Sequence, residues 1–283
     1  MSAHIHSLEI LKYPRTPHLE GSRLQPGDDD HDHGHVALAS LHGRHAVVEE
    51  KLDGANVGIS FTPGGDLLLQ SRGHYLVGGG RERQFAPFRQ WAVAHESRLL
   101  ERLEDRYVLY GEWLYAKHSV SYDALPHWFC EFDVFDRVDG VFLSTPRRHA
   151  LLAGSPVLSV PVIHAGELPR SVKALRALVR PSLAKSAQWE HAFEASVERQ
   201  GLDLALAWKQ TDRSALSEGL YIKLEDDTQV LGRFKWVRPD FVQTILDSGS
   251  HHSTRPIIAN GLAPGVDLYA PVPLVGWNLG ERS

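Results

Sequence analysis

Residues Val47–Phe61 read Val-Val-Glu-Glu-Lys-Leu-Asp-Gly-Ala-Asn-Val-Gly-Ile-Ser-Phe, and the fold turns on how they are read. Val and Ile on either side favour strands, and Asp53-Gly54 between them is a hairpin signal. Lys51 stands where the first strand ends, with Asp53, Gly54 and Asn56 just behind it. A rigid element then holds one amine in place, and Gly54 lets a ligand approach the backbone. A lysine nucleophile attacking a phosphoanhydride needs that arrangement. The same residues also fit a surface hairpin with a solvated lysine, and a bare Lys-x-Asp-Gly has a high false-positive rate.

Working outward, the β pattern continues through residues 66–71 after the turn Thr62-Pro63-Gly64-Gly65, and Ser71-Arg72-Gly73-His74 closes a meander. Gly78-Gly79-Gly80 breaks the chain as a loop, and Phe85–Leu103 has helical spacing. Tyr107–Trp113 is a strand ending in Glu112 and Trp113. His127–Asp136 is another, with Phe129, Glu131, Asp133 and Phe135 alternating against Trp128, Cys130, Phe132 and Val134. Thr145-Pro146 predicts an N-capped helix start, Val157–Ile163 a short strand, and residues 169–209 mostly helix broken at Pro181.

A hairpin follows, Glu218–Lys223 and Val230–Arg238 around a turn at 225–228. Period-two alternation puts Arg233 and Lys235 on one face of its second strand, with Phe234 and Trp236 on the other. Two neighbouring cations on a rigid strand suit an anion between them, phosphate foremost. Upstream, Pro14 and Pro17 make residues 13–22 an extended arm. Gly27–His35 clusters His and Asp, and without a rigid spacing to fix ligands it reads as a solvated acidic loop rather than a metal site.

The 283 residues suit one large domain or two, and an apolar fraction of 42% supports a sizeable core. Cys130 is the only cysteine, so one chain can build neither a disulfide framework nor a Cys-based zinc site. That points to a reducing, cytoplasmic setting. The start shows no signal-peptide pattern, and no apolar run is long enough to span a bilayer. The net charge of −5 runs against the basic surplus common among nucleic-acid binders, although Lys and Arg can still gather on one face.

Five elements stand in order: Lys51-x-Asp53-Gly54-x-Asn56, Ser71-Arg72-Gly73, Gly111-Glu112-Trp113, Phe132-Asp133, and Glu218-Gly219-x-x-x-Lys223 with Arg233-x-Lys235. This set resembles the nucleotidyl motifs of the covalent nucleotidyltransferases, polynucleotide ligases and messenger RNA capping enzymes. Within them it is most similar to ATP-dependent RNA ligases of the RNA ligase 2 type, especially bacterial enzymes that seal breaks after separate end-healing. The resemblance runs from about Lys12 to Arg238, and Tyr13–Ser22 resembles the family's amino-terminal arm.

The resemblance implies an α+β nucleotidyltransferase (ATP-grasp-like) fold, two antiparallel β-sheets flanked by helices with the nucleotide between them. It divides the chain into an arm with the acidic loop (1–45), a nucleotidyltransferase domain (46–240) and a carboxy-terminal extension (241–283). Lys51 would carry AMP as a phosphoramidate. Asp53 and Gly54 would belong to the nucleotide site, Asn56 to the metal and substrate-end environment, and Arg72 to the nucleic-acid end or phosphate. Glu112 would meet the ribose and Phe132 the adenine. Glu218 would sit near a divalent Mg²⁺ or Mn²⁺, and Lys223, Arg233 and Lys235 near the phosphates. The family usually has Lys where Arg233 stands, which leaves open which of the three cations polarises the α-phosphate.

A free lysine has a pKa of ~10.4, so under about one in a thousand is neutral at pH 7, and nearby cations are expected to lower that pKa. The implied partners are ATP, RNA with 5′-phosphate and 3′-hydroxyl ends, and an end-healing kinase or phosphatase, for a monomer acting off the membrane. A DNA ligase or GTP-using capping enzyme shares Lys-x-Asp-Gly, but both resemble longer chains with an OB-fold, and 45 residues after Arg238 are few for that five-stranded barrel. A nucleotide-sensing RNA-binding module without chemistry is the remaining alternative.

Overall fold

The protein is described by a computed structural model covering residues 9–24, 35–248 and 255–277; residues 27–34 of the His- and Asp-rich loop lie outside the described residues. In chain order the strands are β1 (His45–Lys51), β2 (Ala55–Phe61), β3 (Leu67–Ser71), β4 (Tyr107–Trp113), β5 (Phe129–Asp136), β6 (Val141–Phe142), β7 (Leu158–Ser159), β8 (Val162–Glu167), β9 (Gly219–Glu225) and β10 (Val230–Val237). The helices are α1 (Ala86–Ala94), α2 (Glu96–Leu103), α3 (Thr145–Leu152), α4 (Val172–Arg176), α5 (Trp189–Arg199), α6 (Leu204–Lys209) and α7 (Pro239–Asp247).

The strands make two sheets, one ordered β10-β9-β1-β8 and one ordered β3-β2-β4-β5-β6, antiparallel throughout except where β7 pairs parallel with β5. The architecture is the expected α+β pair of antiparallel sheets. Alternation sends Ala46, Val48, Leu220, Ile222, Phe234 and Trp236 to the outer core of the first sheet. Val57, Ile59, Leu109 and Trp113 of the second sheet pack outward on Phe88 and Trp91 of α1 and Leu99 of α2. Between the sheets the buried charges Glu49, Glu131, Asp133 and Lys223 lie beside a smaller apolar cluster that includes Tyr13, Val108 and Tyr110.

The hairpin expected at Asp53-Gly54 does not form. β1 belongs to one sheet and β2 to the other, so Leu52–Gly54 crosses between them. Asp53 pins the crossing, its carboxylate accepting from the backbone N–H groups of Ser119 and Val120 at 2.7 Å each. A Cβ on Gly54 would fall 2.6 Å from the Trp113 carbonyl oxygen, so close packing on β4 requires this glycine. Gly219 is tighter still, with a Cβ only 2.0 Å from the Trp236 carbonyl oxygen. Gly219→Ala must therefore shift β9 against β10 and is expected to cost roughly 1–3 kcal/mol or more. Thermal melting checks this, and an unchanged midpoint would contradict the packing.

Other expectations are refined by tertiary contacts. Phe85–Leu103 is two helices meeting at His95. Val157–Ile163 splits at Pro161, β7 joining one sheet and β8 the other. Ser144 rather than Thr145 is the N-cap of α3, because the Thr145 hydroxyl and N–H both donate to Glu225 at 3.0 Å. Helix α7 was not anticipated, though Pro239 at its first turn and the apolar Phe241, Val242 and Ile245 are an amphipathic signal.

Two outer segments close the body. The arm runs parallel to β10, with Lys235 N–H donating to the Pro17 carbonyl and Leu19 N–H to the Lys235 carbonyl, both at 3.0 Å, which covers an otherwise open sheet edge. Residues 255–277 pack back on the body. Asn260 bonds the Leu114 carbonyl and the Tyr122 N–H, and the Trp277 indole donates to the Ser159 carbonyl.

Candidate active site

Lys51 ends β1 at the mouth between the sheets, its side chain a quarter exposed. Its amine lies 2.8 Å from both carboxylate oxygens of Glu218, which immediately precedes β9. From the opposite sheet, Glu112 on β4 accepts from the Gly54 N–H at 2.9 Å and stands directly across the ladder from Asn56 on β2. The Asn56 side-chain oxygen is buried with no protein partner. Register puts Lys235 opposite Tyr221 and Glu49 on the face that carries Lys51, and Lys235 acts electrostatically on Glu218.

The electrostatics differ from expectation. Cations were to lower the Lys51 pKa; burial does pull it down, but Glu218 and then Glu112 outweigh that, and the net shift is upward. Burial lifts Glu218 to about 7, against the opposing pull of Lys51, and lifts Glu112 to about 8. The amine is therefore held protonated by acids, and nucleophilic attack requires that proton to leave. Adduct formation is expected to accelerate as pH rises above neutrality. Glu218→Gln removes the largest upward influence, so the alkaline limb of its pH–rate profile should move to lower pH even where the rate is reduced. A limb at unchanged pH would detach Glu218 from this control.

Deeper in the cleft, β4 and β5 slip register between Tyr110 and Gly111, so that Tyr110 faces Asp133, Gly111 faces Glu131, and Phe132 is the extra residue of a β-bulge. The simple alternation expected along β5 fails at that residue. Phe132 lies 6.1 Å from the Tyr221 ring across the cleft at an interplanar angle of 37°, and Tyr13 of the arm packs edge-on to it at 5.1 Å. Tyr13 also donates to Asp133 and meets the Tyr221 hydroxyl.

Lys223 and Arg233 sit at this inner end, not beside Lys51. The fully buried Lys223 ammonium contacts Glu49 at 2.9 Å, Asp133 at 3.1 Å and the Phe132 carbonyl. Arg233 lies 3.8 Å from Asp133 and stacks over Phe142 at 3.8 Å. Arg148 of α3 completes the network, joining Glu49 to Glu131. Of the expected site residues, the structure brings Lys51, Glu112, Glu218, Asn56 and Lys235 together, with Phe132 further in. Asp53 and Gly54 shape the crossing, and Arg72 stands exposed in the turn after β3.

Sequence reading missed Tyr13, Glu49, Glu131, Arg148 and Tyr221 as site residues. Glu49 and Tyr221 were within reach, since each is two residues from a site lysine on the same strand face. Arg148 gave no signal, being one of three basic residues in succession on a helix.

The two-sheet frame is the nucleotidyltransferase fold, shared with solved structures of a Naegleria gruberi RNA ligase. A variant with AMP and Mn is 17% identical at a TM-score of 0.52, the match covering 84% of this chain and 59% of that one. The enzyme with PPi is 18% identical at 0.50, covering 87% and 63%. Another variant, with ATP and Mn, is 19% identical at 0.48, covering 74% and 54%. The chain thus spans 54 to 63% of the length of these solved relatives, and at such identity the likeness concerns the fold alone. No curated protein matches the sequence significantly. The RNA ligase family profile matches residues 44–237, more than half of the sequence. The chain belongs to the RNA ligase family, a family of ATP-dependent ligases.

Proposed function

We propose that this chain is an ATP-dependent RNA ligase working through an AMP adduct on Lys51. The observation that carries the proposal is the partly exposed Lys51 amine at the cleft mouth, held by Glu218 and faced by Glu112, Asn56 and Lys235. In the first step the neutral Lys51 nitrogen forms a bond to the α-phosphorus of ATP, the bond to the β-phosphate oxygen breaks, and pyrophosphate leaves. In the second, an oxygen of an RNA 5′-phosphate attacks that phosphorus, the P–N bond breaks, and Lys51 recovers a proton. In the third, a 3′-hydroxyl attacks the 5′-phosphorus and AMP departs.

The site residues divide the work. Glu112 would accept from a ribose hydroxyl, Phe132 would stack on the base, and Lys235 would meet phosphate charge. Arg72, exposed beyond β3, is available to an incoming RNA end. No group of three metal-binding His, Cys, Asp or Glu side chains occurs among the described residues. The unpartnered Asn56 oxygen and the carboxylates of Glu218 and Glu112 nevertheless fit a Mg²⁺ or Mn²⁺ that keeps water and substrate phosphates as its other ligands. Such an ion would supply charge neutralisation at the phosphates. The same reading takes 46–240 as the catalytic unit, 1–45 as an arm and 241–283 as an extension, and places the enzyme in repair of broken RNA. Among the described residues no helix is long and apolar enough to cross a membrane.

The test is incubation with α-labelled ATP and Mg²⁺, which should leave acid-labile label on the protein, and sealing of nicked 5′-phosphorylated RNA. Label from GTP instead, or sealing of DNA alone, would select the capping-type or DNA-ligase alternative. RNA binding with no adduct from either nucleotide would select the inactive module.

A further inference from the structure

We infer that Lys223 is a positioning residue for the base-stacking ring of Phe132 and makes no phosphate contact, an inference that rests on the ligase reading above. An ammonium has three N–H donors. Here one of them donates to the Phe132 carbonyl, and the ammonium lies in ion-pair contact with Glu49 on β1 at 2.9 Å and Asp133 on β5 at 3.1 Å. The side chain is fully buried, so none of these donors reaches the mouth of the cleft where Lys51 stands.

The identity of the carbonyl acceptor gives the lysine its task. A β-bulge leaves its extra residue outside the ladder, and a buried carbonyl without a partner is costly. The neighbouring carbonyls on β5 are served by backbone, Glu131 by Val160 N–H at 2.8 Å and Val134 by Leu143 N–H at 2.9 Å. The Phe132 carbonyl takes Lys223 of the other sheet instead. The bulge is thereby tied residue by residue: Glu131 to Arg148 and the Ser159 hydroxyl, Phe132 to Lys223, and Asp133 to Lys223 and Tyr13.

Glu49 anchors this assembly to β1, its two oxygens divided between Arg148 and Lys223. The Phe132 ring, which faces Tyr221 from the opposite sheet, is thus set at its angle and distance by a chain of buried charges running Arg148–Glu49–Lys223. Lys223 fixes the ring on which a purine stacks, while the triphosphate is left to Lys235. Arg148, one link further back, is a second positioning residue.

Ligands that carry only one half of ATP separate the two roles. Binding of adenosine and of inorganic pyrophosphate is measured for the wild-type protein, Lys223→Met and Arg148→Lys, after the wild type has been shown to form the AMP adduct. Base–aromatic stacking is worth ~1–3 kcal/mol, so the expected result for Lys223→Met is about a tenfold loss of adenosine affinity with pyrophosphate affinity unchanged. Arg148→Lys should show the same pattern more weakly. A loss of pyrophosphate affinity in Lys223→Met, or adenosine affinity equal to wild type, overturns the inference. In a Phe132→Ala background, Lys223→Met should cost no further adenosine affinity, and a full additional loss also overturns it. Should Lys223→Met alone fail to fold, the measurements are made on Glu49→Gln combined with Lys223→Met, which removes both buried charges together. Absence of the wild-type adduct would strike the ligase reading itself, a separate outcome.

Discussion

Lys51→Ala is expected to abolish labelling of the protein by α-labelled ATP and to reduce sealing of 5′-phosphorylated RNA by on the order of a thousandfold or more, the scale of removing a nucleophile. RNA supplied with AMP already joined to its 5′-phosphate should be spared most of that loss, because the final displacement uses the RNA 3′-hydroxyl and no lysine nitrogen. Label persisting on Lys51→Ala would refute the assignment. The substitution also leaves Glu218 and Glu112 buried without their cation. Burial already raises both carboxylates, so the folded state binds more protons than the unfolded chain above the ordinary carboxylate range, and stability falls as pH rises from that range towards about 7 to 8. Melting points of Lys51→Ala should therefore drop more steeply than wild type between roughly pH 6 and 8. Labelling at the lower pH separates lost chemistry from lost fold.

Arg148→Ala should produce the largest loss of stability. Its guanidinium is fully buried and serves two fully buried carboxylates on different sheets, Glu49 and Glu131. Removing one member of a buried ion pair costs roughly 3–5 kcal/mol, because the partner charge is left uncompensated. The melting midpoint should fall by about 10 °C for a chain of this size. Glu131 is pushed upward by burial and held down chiefly by Arg148. Without the arginine it takes up a proton more readily, so the deficit relative to wild type should shrink as pH is lowered. A deficit that is small, or independent of pH, would mean that the network is dispensable.

Much of this was legible in the linear chain. Alternating β-branched and aromatic residues located the long strands, since their burial on one face demands period two, and the family resemblance carried by Lys51, Glu112, Phe132, Glu218 and Lys235 offered them as candidate site residues. Local pattern encodes the strands because backbone geometry repeats every two residues along a strand whatever the strand packs on. Where each strand goes is another matter. Asp53-Gly54 has the composition of a hairpin yet crosses between sheets, because β1 finds its partners in β8 and β9, residues far away in sequence. The bulge at Phe132, the capture of Lys223 by Glu49 and Asp133, and the rise rather than fall of the Lys51 pKa depend on which charges face each other across the two sheets. The sequence by itself determined where the long strands run and in what order the candidate site residues follow one another. Only the tertiary structure decided which of them meet, since Coulomb and hydrogen-bond energies depend on separation through space and not along the chain.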